Sequence, residues 1–342
     1  MGAVAATLFG PEDLRLVPVE PGPLDPTMVR LRFGAGGICG SDMHYFRHAR
    51  TGDFVVTSPL VLGHEVAGEV VETGSAVSGV AVGDRVAVNP SRWCGRCRFC
   101  SQGRENLCEN IYFMGSASKT PHMQGGFAGL FDATPPQCVK VGSGVSFEAA
   151  ALAEPLSVAL HAVARAGDLK GRSAAVVGAG PIGLLVLMAA RRAGAASVSV
   201  ADIAAAPLAF ASRLGADQTI DLTSDRPDPN GTYDICFEAS GTASGLASAI
   251  GSTSRGGTVV LIGNLPGGEI PVPANAVMAK ELDLRGTFRF GQEFAEAVRL
   301  IGEGAIDVQA LITARMPLSE ASSAFSLALD RSKSIKVMLT AS

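Results

Sequence analysis

The chain has no excess of either charge: 28 Lys and Arg stand against 32 Asp and Glu, a net of −4. The two signs are mixed along it, with no basic stripe and no polybasic run. That argues against a nucleic-acid partner and against a charged membrane surface. A long unbroken hydrophobic segment is missing too. The longest uncharged run, 173–190, is interrupted by Gly178, Gly180, Pro181 and Gly183, so it does not read as a membrane span. The opening MGAVAATLFG lacks a basic n-region and has only a short apolar stretch, so no secretory signal is expected. Ala6 breaks the myristoylation pattern that Gly2 would begin. Internal repeats and low-complexity tracts are absent as well. What is left is the profile of a soluble α/β protein of a reducing, cytoplasmic compartment. With 342 residues, 47% hydrophobic residues and 41 glycines, it is long enough for two domains.

Against this background four cysteines stand out, Cys94, Cys97, Cys100 and Cys108, in a C-x2-C-x2-C-x7-C run. Soft thiolates at this spacing can wrap one tetrahedral zinc ion. Two disulfides are the competing reading, and the lack of any secretion signal speaks against them. A four-sulfur site has no open position, so it is structural and the chemistry must lie elsewhere.

The texture of the sequence changes near residue 148. Before it, alternating segments such as Val29–Phe33, 66–72 and 84–88 read as strands punctuated by glycines. The region 90–121 around the cysteines reads as an irregular loop. After it, short apolar strands (174–178, 197–202, 219–221, 233–237, 257–263, 282–286) alternate with helices such as 181–193, which predicts a parallel, doubly wound sheet. A helix or two and a closing strand, Ile335–Leu339, end the chain.

Within the second region, Gly178-Ala-Gly180-Pro181-Ile182-Gly183 is a G-x-G-x-x-G run that follows a predicted strand and opens a predicted helix. Gly178 permits the tight turn, Gly180 lets backbone approach a pyrophosphate, and Gly183 lets helix and strand pack closely. The helix N-terminus then faces the phosphates. Asp202, 19 residues after Gly183, is placed to accept from both ribose hydroxyls. Its carboxylate repels a 2′-phosphate and the following Ile203-Ala-Ala-Ala offers no arginine, so NAD is expected over NADP.

Three more clusters contain metal-ligating residue types: Cys39-Gly-Ser41-Asp42-Met-His44-Tyr45, Gly63-His64-Glu65 and Ala153-Glu154-Pro155. Taken singly, Cys39, His64 and Glu154 have ordinary explanations as core or helix-end residues. Taken with the cysteine loop and the glycine fingerprint, they resemble the zinc-dependent medium-chain alcohol dehydrogenase superfamily over essentially the whole chain. The AEPLSV segment places the resemblance in its polyol branch. Four segments, GGICGSDMHY, TSPLVLGHEVAGEV, residues 114–127 and Gly286–Phe290, are similar to those of its idonate dehydrogenases. Sorbitol dehydrogenases share the first two and differ around 115–127.

The resemblance implies a β-rich GroES-like catalytic domain over 1–147 that carries the structural zinc loop. It implies a Rossmann NAD-binding domain over 148–288 and a return to the catalytic domain over 289–342. It implies two zinc ions per chain. For the catalytic ion the ligands are Cys39, His64 and either Glu65 or Glu154, the other glutamate acting through a bound water. Asp42 would hold the His64 ring. Ser41 and His44 would relay the proton. Tyr45, Phe113, Glu154 and Arg289 would line the pocket, with Arg289 suited to a carboxylate. Arg47, His48 and His122 are weaker candidates near its mouth, and His161 reads as a packing residue. The implied reaction is hydride transfer to NAD from a secondary alcohol of a small sugar acid or polyol, L-idonate to 5-ketogluconate first and sorbitol or xylitol as alternatives. A dimer or tetramer is implied as well. A non-catalytic nucleotide-binding protein is the remote alternative, and it would be expected to have lost these ligands.

Overall fold

A computed structural model describes residues 3–225 and 231–341. The chain divides into two compact units, one of residues 1–154 with 294–342, the other of residues 155–293.

The first unit is built on a seven-stranded sheet. Its order runs Cys138–Lys140, Arg85–Val88, Glu65–Thr73, Val29–Gly37, Lys336–Thr340, Ile312–Pro317, with Leu130–Ala133 also paired to Val29–Gly37. Val29–Gly37 is central because its residues are buried on both faces except at Arg32 and Gly34, so it accepts neighbours on each edge. It pairs antiparallel with Glu65–Thr73 and with Lys336–Thr340, placing Gly37 opposite both Glu65 and Met338. Leu31, Phe33, Val66, Val70, Val337 and Leu339 carry these strands into one apolar core. The closing strand starts one residue later than the sequence pattern suggests, at Lys336. Its parallel neighbour Ile312–Pro317 escaped the sequence pattern; all of its residues are exposed or half-buried, the more covered Ile312, Ala314 and Met316 alternating with Thr313 and Arg315.

At the end of the central strand the chain turns into the helix Gly40–His48. Asp42, in its first turn, accepts from the Cys39 backbone N–H at 3.0 Å, closing the helix start. Two successive helical stretches, Phe147–Ala151 and Ala153–Ala166, follow the β-rich part. Among the described residues only this 20-residue stretch is long and apolar enough to cross a membrane, and most of it is buried inside the protein.

The second unit holds a six-stranded sheet in which every pair is parallel. Its order is Gln218–Asp221, Ser197–Asp202, Ser173–Val177, Tyr233–Glu238, Thr253–Leu261, Asp283–Gly286. Numbered along the chain this is 3-2-1-4-5-6, the doubly wound arrangement whose strand order reverses between the first and fourth strands. The buried runs Ser173–Val177 and Tyr233–Glu238 flank that reversal, as strands covered on both faces should. Helices Pro181–Arg192, Ala205–Arg213 and Ala243–Ser252 supply the covering layers. The fold is thus α/β, a parallel doubly wound sheet in one unit and a β-rich architecture in the other. The uncharged run 173–190 is spent on the first strand and the buried side of the helix after it.

Candidate active site and nucleotide site

In the second unit, Gly178 takes a φ of +104°, and a side chain there would meet the Ser240 backbone nitrogen at 2.6 Å. A side chain on Gly183 would collide with the Gly178 carbonyl, so this glycine lets the helix Pro181–Arg192 close on the strand. Gly180 is different: nothing lies within 4 Å of where its side chain would be. That is open space in front of the first helical turn, whose backbone N–H groups have no partner of their own in the helix. Pro181 at the helix start loses nothing, since its position would leave an N–H unpaired anyway. Ile182 belongs to the same turn. Asp202 does more than the sequence suggests. One carboxylate oxygen accepts from Ala179 N at 2.7 Å, and the other accepts from Ile203 N at 2.7 Å and Ala204 N at 3.0 Å. Asp202 therefore clasps the glycine turn to the end of the second strand. Arg289, also in this unit, has a left-handed φ of +54° and lies over the Phe288 ring at 4.9 Å.

In the first unit the four cysteines of the loop converge: the sulfurs of Cys94, Cys97, Cys100 and Cys108 all lie within 4.8 Å of one another. Backbone N–H groups of Cys94 and Asn110 point at the Cys108 sulfur at 3.3 and 3.4 Å. N–H groups of Cys100 and Glu109 draw the Cys97 thiol down to about 6, whereas burial and the neighbouring Cys97 push Cys100 up to about 12. Four converging thiols, of which one already favours the thiolate, are the donor set of a closed zinc site.

The second cluster is assembled from distant parts of the sequence. Cys39 ends the turn out of the central strand, His64 immediately precedes the strand beside it, and Glu65 begins that strand. Their ligand atoms all lie within 4.8 Å of one another. Asp42 is fully buried and organises the group. One of its oxygens takes the Cys39 N–H, and the other lies 3.4 Å from His64 Nδ1 and 3.4 Å from Gly63 N. With Nδ1 engaged this way, Nε2 is the ring nitrogen left for an ion. Burial alone would lower the His64 pKa, but the adjacent Asp42 and Cys39 charges outweigh it and hold it well above the ordinary value. The same negative charges that favour a proton on this ring would favour a bound divalent ion. The donor set, a thiolate, an imidazole and a carboxylate in a buried pocket, suits zinc with a position left open.

Glu154 stands outside the set of mutually close donor atoms but is buried near it. Burial pushes its carboxyl up to about 7, the Glu65 and Asp42 charges adding to the rise while His64 and Lys336 oppose it. Ser41 Oγ lies 3.5 Å from His64 Nε2. His44 is exposed at the other end of the same helical turn, and partial burial, then the charges of His48 and Arg331, lower its pKa below 6.5. The Phe113 ring is 5.5 Å from that of His64, so it walls the cluster. Tyr45 is buried, and its hydroxyl accepts from Ala117 N at 3.1 Å, which ties the helix Gly40–His48 to the segment 114–127. His122 Nε2 accepts from Thr57 N at 2.9 Å, a structural tie. His161, in the second unit, pairs with Glu293 at 2.8 Å. Arg47 and His48 are exposed.

One participant had no signal in the sequence reading. Lys336, the first residue of the closing strand, is 2% exposed, and its ammonium lies 2.5 Å from Glu65 Oε2. It donates to the Ile38 carbonyl at 3.0 Å, across a separation of 298 residues. Burial works against its proton, but the charges of Glu65, Cys39 and Glu154 hold its pKa above the ordinary lysine value. A lysine in an otherwise apolar strand was the only hint.

Comparison with known proteins agrees with this chemistry. Residues 25–143 match the alcohol dehydrogenase GroES-like domain, and residues 181–303 match the zinc-binding dehydrogenase family. The chain belongs to the zinc-type medium-chain alcohol dehydrogenases. Among its relatives, L-idonate 5-dehydrogenase (NAD(P)(+)) of Escherichia coli K12 is 37% identical over 308 residues, 89% of each chain. Sorbitol dehydrogenase of Bos taurus is 37% identical over 348 residues, covering 98% of this chain and 95% of the other. The crystal structure of L-idonate 5-dehydrogenase from E. coli superposes with a TM-score of 0.95 at 33% identity, covering 99% of this chain and 98% of the other. A zinc-binding dehydrogenase of Sinorhizobium meliloti 1021 bound to NADP gives 0.90 at 31% identity, covering 99% of each.

Proposed function

We propose that the protein is an NAD-linked, zinc-requiring dehydrogenase that oxidises a secondary alcohol of a small sugar acid or polyol, with L-idonate, giving 5-ketogluconate, as its first substrate. The observation that carries this is the buried Cys39–His64–Glu65 group with Asp42 behind it, in a chain that also holds an open glycine turn at a helix start. The full set of ligand types argues against a non-catalytic nucleotide-binding protein.

Cys39, His64 and Glu65 would hold the catalytic ion, the geometry favouring Glu65 over Glu154, and Cys94, Cys97, Cys100 and Cys108 the structural one. A zinc ion held there would supply the charge that lowers the pKa of a substrate hydroxyl, and a bound nicotinamide would supply the hydride acceptor. The rest falls to the chain's own groups. Asp42 fixes the His64 ring so that Nε2 faces the ion. Ser41 Oγ, beside Nε2, would take the hydroxyl proton and pass it through a ribose hydroxyl of the cofactor towards His44, whose lowered pKa favours its neutral, accepting form. Phe113 keeps one side of the cluster dry, and Glu154 is placed to act through a bound water. Tyr45 shapes the pocket through the 114–127 segment, and Arg289 would read an aldonate carboxylate. Gly178, Gly180, Pro181, Ile182 and Gly183 would seat the pyrophosphate and Asp202 the ribose. The Asp202 carboxylate, followed by Ile203-Ala-Ala-Ala with no arginine, supports NAD over NADP. A dimer or tetramer in the cytoplasm belongs to the same proposal.

Idonate and sorbitol relatives are equally identical to this chain at 37%; the residues 114–127 and Arg289 favour idonate. The test is kcat/KM with NAD for L-idonate and for sorbitol, on zinc-replete enzyme. A preference for idonate that shrinks in Arg289→Ala supports the reading. A preference for sorbitol moves the enzyme to the neutral polyols.

A further inference from the structure

Glu65 and Lys336 sit on strands that do not pair with each other. Each is the first residue of its strand, and the central strand Val29–Gly37 runs between them. Their charges meet over Gly37. A side chain at Gly37 would fall on Glu65 Oε2 and lie 2.7 Å from Lys336 Cε, so only glycine leaves room for the contact. The pair is sealed: Glu65 is 1% and Lys336 2% exposed. The lysine also donates to the carbonyl of Ile38, the residue before Cys39. One ammonium thus grips both walls of the metal cluster, the Glu65 carboxylate and the backbone leading into Cys39.

We propose that Lys336 is a positioning residue for the catalytic metal: by holding Oε2 across Gly37 it limits Glu65 to a single oxygen for the ion and so preserves the open coordination position. This rests on the zinc dehydrogenase reading above. A carboxylate with both oxygens free can chelate, and a chelating Glu65 would take the position the substrate hydroxyl needs. Outer partners of this kind typically change metal affinity or activity about 10–100-fold when removed. Ligand identity alone does not set the site, because the same three ligands with a freed carboxylate would make a more crowded one.

The test replaces the catalytic zinc with cobalt in the wild type and in Lys336→Met, Lys336→Gln and Lys336→Arg. Three readouts are compared: the cobalt visible spectrum, the rate of metal release to a chelator, and kcat/KM. Lys336→Met is expected to weaken and shift the cobalt bands, as coordination number rises, and to lower kcat/KM about 10–100-fold. Lys336→Arg, which keeps a cation, should recover most of both. Lys336→Gln reads the same point if the Met variant does not fold. A folded Met or Gln variant with the wild-type spectrum and release rate would overturn the proposal. Failure of the wild type to take up cobalt outside the four-cysteine loop would instead overturn the dehydrogenase reading, and this proposal with it.

Discussion

The two metal clusters of the first unit are built in opposite ways. The four-cysteine site is local: its ligands fall between Cys94 and Cys108, they are all thiols, and only Cys108 is fully buried. The Cys39–His64–Glu65 group gathers its donors at the ends of two neighbouring strands, with Asp42 beside it on a helix and Lys336 on the C-terminal strand, and it mixes thiol, imidazole and carboxylate. The first can be closed by its own loop. The second exists only once the seven-stranded sheet and the helix Gly40–His48 have come together. A site that must hold an ion firmly can be short and uniform. One that must leave a position open needs different ligands held by a rigid frame.

The contrast predicts different kinds of damage. The largest effect should come from Cys97→Ser. Zinc binding in small cysteine sites is worth about 10–16 kcal/mol of folding free energy, so the segment 94–108 should lose its ion and become sensitive to protease. Limited proteolysis with metal analysis checks this, and an intact segment with its zinc lost would mean the loop folds without metal. Asp42→Asn should act without unfolding the sheet, lowering metal affinity or kcat/KM about 10–100-fold by releasing the His64 ring. Thermal melts alongside kinetics separate the two effects, and a large loss of Tm would make Asp42 chiefly a structural residue.

The smallest expected effect concerns His44. Its folded pKa lies below 6.5, chiefly through partial burial and then through His48 and Arg331. The unfolded chain therefore binds the proton more readily. The stability this group contributes is present above pH 6.5 and is lost as the pH falls below it. His44→Gln should flatten the fall in Tm between pH 7.5 and pH 5.5 by about 1 °C. Parallel melting curves for the two proteins would show that His44 is not the group responsible.

The same contrast explains what the sequence could reveal. The cysteine loop is legible because its whole donor set lies in one short window. The doubly wound sheet is legible because buried strands alternate with helices and Gly178, Gly180 and Gly183 mark its first turn; the strand Ser197–Asp202 ends where the pattern predicts. Cys39, His64 and Glu154 were individually ordinary, and only their company with the other motifs made them candidates. The choice between Glu65 and Glu154 stayed open in the sequence because it depends on which carboxylate the register of adjacent strands brings opposite Gly37. Lys336 was hidden for a similar reason: its partner and its hydrogen-bond acceptor lie at the other end of the chain. The strand Ile312–Pro317 was missed although Ile312, Ala314 and Met316 alternate with Thr313 and Arg315, because it is short and none of its residues is fully buried. Asp202 was expected at the ribose, while its grip on the Ala179 N–H depends on how the turn closes in three dimensions.

The central claim is that this chain carries two separate zinc sites and that the dispersed one performs the chemistry. Zinc per chain, measured by elemental mass spectrometry on folded wild type and Cys39→Ser, tests it most directly. The account predicts two ions for the wild type, one for the variant, and loss of dehydrogenase activity with the second ion. A Cys39→Ser protein that keeps both ions or its activity would contradict it.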